Sequence, residues 1–160
     1  MYNQEDNIKV MSRKAGDNKY LHKDFHQSMN LLITYIYNNY GKKKLIDYLK
    51  QYAGIYYQLI NRDLQKGTIE VLVDYFTDIY NKEEWPVEIN NNDNYVEIRQ
   101  DACPGITHIK GLGGIPCPHY REMYNTVYST LCDCTPFDYT LVYFNEETGA
   151  CKQLFTKRKE

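Results

Sequence analysis

The sequence has little of what marks several large classes of protein. Its charges nearly balance, 19 Lys and Arg against 21 Asp and Glu for a net charge of −2, so it lacks the basic excess by which a nucleic-acid partner usually announces itself. Its basic cluster Lys157-Arg158-Lys159 reads as a solvated tail. Purely apolar runs extend only a few residues, far short of the ~20 that span a bilayer, and the polar, acidic opening Met1 to Asn7 has no apolar export core. The five cysteines are an odd number; without an export signal they are expected as reduced thiols in the cytoplasm. Neither nucleic acid nor membrane is therefore expected as a partner.

Familiar site signatures are missing too. Gly111-x-Gly113-Gly114 lacks the Lys-Ser/Thr of a phosphate loop and reads as a mobile or tightly turned loop. His22-x-Asp24-x-His26 lacks the glutamate of a His-Glu-x-x-His metalloprotease, which excludes that chemistry. Cys132-Asp133-Cys134 is not the Cys-x-x-Cys pair of a structural zinc site and has no second pair.

What remains is an ordinary globular composition, 42% hydrophobic and 25% charged over 160 residues, enough for one domain whose core needs no disulfide or structural metal. The 17 tyrosines suit a stacking surface, but equally a genome rich in A and T, and no function is assigned to them as a group. Residues 1 to 17 show no period and read as a flexible arm, leaving residues 18 to 160 as the folded domain. Leu21, Phe25, Met29, Leu32 and Ile36 then recur at helical steps, predicting a helix over residues 19–39 that Gly41 ends. A second helix is expected over residues 42–66, stopping at Gly67, and a third over 68–81 on Ile69, Leu72, Val73, Phe76 and Ile79. Alternation over 85–89 and 95–99, with an Asn-rich turn between, predicts a hairpin. A helix over 119–131 follows, and a second hairpin pairs 137–144 with 151–156. The pattern implies an α+β fold: three N-terminal helices on an antiparallel sheet of about four strands, with one helix between the hairpins.

Chemistry concentrates between Cys103 and Cys134, which holds four of the cysteines together with His108 and His119. Cys103-Pro104 follows a strand; proline biases Cys103 toward extended backbone, where the thiol is either a well-presented nucleophile or a small buried apolar residue. In Cys117-Pro118-His119, proline suits a first helical turn, which would set Cys117 near the N-cap, where exposed amides favour thiolate. His119 would be its acid–base partner or a second ligand. His22 and His26, four residues apart, project from one side of a helix and suit a shared metal or anion, while Asp24, two residues from each, points to another side of it.

A resemblance joins these pieces. Tyr20-Leu21-His22-Lys23-Asp24-Phe25-His26, the later Asn39-Tyr40-Gly41, Tyr48-Leu49-x-Gln51 with Tyr56-Tyr57, Cys103-Pro104 after a strand, and Cys132-x-Cys134-Thr135-Pro136 before the last hairpin together resemble the L-2-amino-thiazoline-4-carboxylic acid hydrolase-like family, from about Tyr20 to Lys157. The resemblance implies a hydrolase opening a thiazoline-type amino acid at the carbon between nitrogen and sulfur, with a small-molecule substrate and no cofactor required. Cys117 or Cys103 would be the nucleophile, His119 its base, His22 and His26 polarising or carboxylate-binding groups, and Asp24 an orienting group. His108, Cys132 and Cys134 are expected on the substrate side. The alternatives are a non-catalytic sensor whose Cys/His pocket holds a small molecule or a metal, with zinc the candidate, and an interaction module with a tyrosine-rich surface. A homodimer is compatible with each.

Overall fold

The computed structural model describes residues 22–159, with side chains from Phe25 onward. The arm expected over residues 1–17, and the start of the first helix with the side chains of His22 and Asp24, lie outside the described residues. Helix α1 (His22–Tyr56) contains Gly41 at φ 78°, ψ 174°, a conformation open essentially to glycine alone. The glycine expected to stop a helix thus makes a corner, and the helix resumes at once. Along both arms the buried residues keep helical steps: Met29 and Ile33 before the corner, Leu45, Leu49 and Ala53 after it. Leu32, predicted for the core stripe, is 39% exposed, because the buried line runs through Ile33 instead.

The expected second helix is divided at Tyr57 (φ −95°, ψ 12°), and α2 (Gln58–Leu64) finishes it before the turn at Gly67. Helix α3 (Glu70–Glu83) runs two residues further than its apolar pattern predicts and ends on a left-handed Glu84. Strands β1 (Glu88–Asn92) and β2 (Tyr95–Gln100) form the first hairpin, its turn closed by Asn92 Oδ1 accepting from the Asn94 and Tyr95 amides. Strands β3 (Phe137–Phe144) and β4 (Cys151–Lys157) form the second. The sheet order is β1-β2-β4-β3, with every neighbour antiparallel. Alternate residues Val96, Ile98 and Gln100 of β2, and Cys151, Gln153 and Phe155 of β4, are buried, so one face of the sheet carries the helices, as period-two alternation requires.

The α+β class follows the sequence reading, but two helices lie between the hairpins: α4 (Pro104–Gly111) and α5 (Glu122–Leu131). The first replaces much of the expected glycine-rich loop. Cys103 is its N-cap and Pro104 its first residue, and Ile106 and Ile109 bury its inner face; only beyond Gly111 does the chain turn freely, with Gly113 at φ 75°. Helix α5 starts at Glu122 rather than at residue 119. Residues 118–121 instead form hydrogen-bonded turns, with the Tyr120 amide donating to the Cys117 carbonyl and the Glu122 amide to that of His119. Buried Asn30 of α1 fastens the preceding loop, donating to the Ile115 carbonyl and accepting from the Cys117 amide, at 2.9 and 2.8 Å.

Two apolar clusters result. One joins α1, α4 and the start of α5 around Cys103, Cys117 and Cys151; the other packs α2 and α3 on the sheet around Phe76, Phe137 and Phe155. No helix among the described residues is long and apolar enough to cross a membrane.

Candidate active site

The first arm of α1, the end of α3, the start of α4 and the first half of α5 converge on a cavity of about 80 Å³. That is roughly half the ~150 Å³ of an apolar cavity that takes up benzene, room for the reacting head of a small molecule. His26, Glu83, Cys103, Tyr120 and Tyr124 all face it.

Cys103 reaches the cavity because β2 ends at Gln100 and the chain turns within three residues into α4. Its backbone is extended (φ −87°, ψ 127°), as the following proline favours, and its amide donates to the Thr148 carbonyl at 2.9 Å. The side chain caps α4: Sγ accepts from the Ile106 amide at 3.4 Å and from the Tyr124 hydroxyl at 2.9 Å. Burial pushes the thiol up, and the Tyr124 hydroxyl with the Ile106 and Gly105 amides pulls against it, while the nearby Glu83 adds to the rise. At neutral pH the resting group is a thiol whose ionised form already has its donors in place.

His26 brings an imidazole to the same cavity. Its Nε2 donates to Glu83 Oε1 at 2.8 Å, with the two side chains 12% and 4% exposed. An ionised carboxylate only accepts, so Nε2 is the donor and Nδ1 is directed elsewhere. Gly105, in the first turn of α4, shows where. A Cβ there would meet His26 Nδ1 at 2.7 Å and collide with the Tyr120 hydroxyl. Glycine therefore lets the imidazole and the phenol press onto the same turn that Cys103 caps.

Around these groups the wall is aromatic. Phe25, Tyr52, Tyr57 and Tyr128 line the cavity, with Phe25 stacked on Tyr52 at 6.2 Å between centroids and Tyr57 edge-on to Tyr128 at the same distance. Burial raises the Tyr120 and Tyr124 hydroxyls far above their usual range, and the neighbouring Cys103 raises them further. Both remain protonated hydrogen-bond donors. Among the described residues that line the cavity, His26 is the single side chain able to carry positive charge.

The other expected site residues whose side chains are described lie elsewhere. Cys117 is buried in the first cluster, off the cavity and outside any helix cap, since the helix it was expected to start begins at Glu122. The N-cap thiol of this protein is Cys103. His119 sits edge-on to Tyr37, 4.3 Å between ring centroids. His108 lies on α4 in a shallow groove beside Glu84 and Trp85. Cys132 is buried in the second cluster, its thiol pushed up to about 12 by burial, and Cys134 is exposed at φ 58°. Among the described residues no group of three or more His, Cys, Asp or Glu side chains is set to hold a metal ion.

Glu83 and the tyrosines are the contributors that sequence reading missed. For Glu83 a signal existed: Leu72, Phe76, Tyr80 and Glu83 follow steps of four, four and three, and all are buried on one face of α3. Set against protein-family models, curated proteins and solved structures, the chain matches none.

Proposed function

We propose that this chain is a cytoplasmic hydrolase that opens a small cyclic amidine- or thiazoline-type amino acid, with Cys103 as nucleophile and His26, oriented by Glu83, as its acid–base partner. The observation that carries this reading is the meeting of an imidazole from α1, a carboxylate from α3 and an N-cap thiol from α4 around one small cavity. His26, Tyr57, Cys103 and Pro104, all cavity-lining, also belong to the motifs that resemble the L-2-amino-thiazoline-4-carboxylic acid hydrolase-like family. Five free cysteines suit a reduced compartment.

The chemistry follows from these groups. Cys103 Sγ adds to the ring carbon between nitrogen and sulfur, its proton passing through His26 to the ring nitrogen. The carbon–sulfur ring bond then breaks, its electron pair leaving on sulfur, and the ring nitrogen returns that proton through His26 to the departing sulfur, leaving a carbon–nitrogen double bond at the carbon held on Sγ. Water adds to that carbon, one of its protons passing through the imidazole to the nitrogen, and the Cys103 sulfur leaves with the other as the carbonyl forms. Overall the oxygen of water ends on carbon and its two hydrogens on nitrogen and sulfur, and the cysteine is regenerated. Tyr120 and Tyr124 stay protonated throughout as donors to charge that develops on sulfur or nitrogen.

The test is incubation with 2-amino-thiazoline-4-carboxylate, quenched in acid and read by intact and peptide mass spectrometry. A ring-opened thiol product, with a transient adduct mapped to Cys103, is expected. Failure to consume that compound and its carboxylate-free ring analogue would remove the hydrolase reading. The largely aromatic wall favours a second one, a non-catalytic small-molecule sensor, in which ligand binds, Cys103→Ala leaves affinity unchanged and no turnover occurs.

A further inference from the structure

We propose that Gln100 is a positioning residue for the Cys103 thiol: its side-chain amide fixes the direction of the Tyr124 hydroxyl and so holds that hydroxyl's proton on Cys103 Sγ. In its bearing on turnover the inference rests on Cys103 being the nucleophile.

Gln100 ends β2 and is 3% exposed, and every polar atom of its side chain is engaged. Oε1 accepts from the Tyr80 hydroxyl at 2.6 Å; Nε2 donates to the Gly149 carbonyl and to the Tyr124 hydroxyl oxygen, each at 3.0 Å. The amide has one possible orientation. A backbone carbonyl can only accept, so the NH2 group must face Gly149, and the carbonyl end is left for Tyr80. The Tyr124 oxygen thus receives a proton from Gln100 and has one of its own to give. Cys103 Sγ, 2.9 Å away, receives it. The chain of donors runs in one direction, from Tyr80 through Gln100 and Tyr124 to the sulfur.

The β3–β4 turn completes the arrangement. A Cβ at Gly149 would collide with the Cys103 Cβ and come within 2.9 Å of Ile106 Cδ1, so glycine is what lets the turn lie against Cys103 and bring its carbonyl to Gln100. Several ionisable groups surround the sulfur: His26 from α1, Tyr80 and Glu83 from α3, Tyr120 from the turns before α5, Tyr124 from α5, and Cys151 from β4. Burial and Glu83 disfavour the thiolate, and the Tyr124 hydroxyl is the side chain that favours it. A hydroxyl free to rotate would hold its proton on the sulfur only part of the time, and the thiolate would lose part of its side-chain donor.

The test reads the thiol without reference to hydrolysis. Full-length wild type, Gln100→Met, Tyr124→Phe and the double variant are alkylated with iodoacetamide across pH, and the Cys103 peptide is quantified by mass spectrometry. Gln100→Met is expected to move the midpoint upward by about one pH unit, slowing alkylation below the midpoint about tenfold. Tyr124→Phe is expected to move it at least as far, and the double variant no further than Tyr124→Phe alone. A Gln100→Met profile that superimposes on wild type overturns the proposal. So does a shift of the same size with Phe at position 124, which would make Gln100 merely structural. Should Gln100→Met not fold, Tyr80→Phe releases the other end of the same amide; a smaller upward shift is expected, and none would overturn the proposal. Shifted alkylation with no hydrolysis in wild type would leave the positioning role standing and remove the enzyme reading alone.

Discussion

Cys103 and Cys132 are the same side chain at the same 2% exposure, placed at opposite kinds of helix end. Cys103 is the N-cap of α4, where amides point outward and one donates to its sulfur beside the Tyr124 hydroxyl. Cys132 is the C-cap of α5, where carbonyls point outward and the dipole is negative. Its nearby charges oppose each other, Arg158 favouring the thiolate and Asp138 and Asp133 disfavouring it, so burial decides and pushes the thiol up to about 12. Burial by itself makes an inert thiol. What separates a candidate nucleophile from a packing residue here is the set of donors around it and an imidazole within the same cavity.

The comparison can be broken most severely at the imidazole. His26→Ala removes the proposed base and leaves Glu83 without that partner; a loss of about 10²–10⁴ in kcat is expected, while a second-cluster change such as Cys132→Ala leaves kcat within a few-fold. Turnover of 2-amino-thiazoline-4-carboxylate is the measurement. Gly105→Ala follows, since its Cβ would displace His26 and Tyr120, and a misplacement near an ångström costs about 10² in rate; circular dichroism checks that the fold survives.

A smaller effect sharpens the other half. An unfolded thiol ionises near pH 9 and the folded Cys132 only near 12, so the folded state keeps a proton that the unfolded state has lost. Stability on this account is intact below pH 9 and declines as pH rises through that window, by about 1 kcal/mol per pH unit for such a group. Urea titrations at pH 8 and pH 10 are expected to show wild type losing more than Cys132→Ala. Smallest is the acid limb at Glu122. Burial pushes its carboxyl up, but hydrogen bonds from Thr126, Lys42 and Asn125 outweigh that and hold it below the usual glutamate range. The stability it contributes is present above the ordinary carboxyl pKa and is lost as pH falls through its lowered value. Glu122→Gln should flatten the acid limb of a pH titration of Tm by about a degree or two.

Much of the fold was legible because long amphipathic helices and alternating strands declare their periods. The boundaries that failed are instructive. Helix α4 has eight residues, two of them glycine, so propensity argued against it; its evidence was a proline at the first position and the pair Ile106 and Ile109. Pro118 offered the same proline signal before Tyr120 and misled, because turns rather than a helix follow it. The chemistry of an N-cap thiol was therefore assigned to Cys117, while the fold puts that thiol at Cys103. His26 could be read from its place at the stripe's edge. Glu83 could not be singled out without accepting that a charged residue continues a buried face, and the tyrosine wall could not be separated from compositional bias, because only tertiary packing gathers Tyr52, Tyr57, Tyr120, Tyr124 and Tyr128 around one space.

Turnover of 2-amino-thiazoline-4-carboxylate by Cys103→Ala, measured beside Cys132→Ala and wild type, tests the assignment of the nucleophile most directly. Turnover falling to the uncatalysed rate in Cys103→Ala and persisting in Cys132→Ala is the expected result. A Cys103→Ala protein that works at the wild-type rate would contradict it.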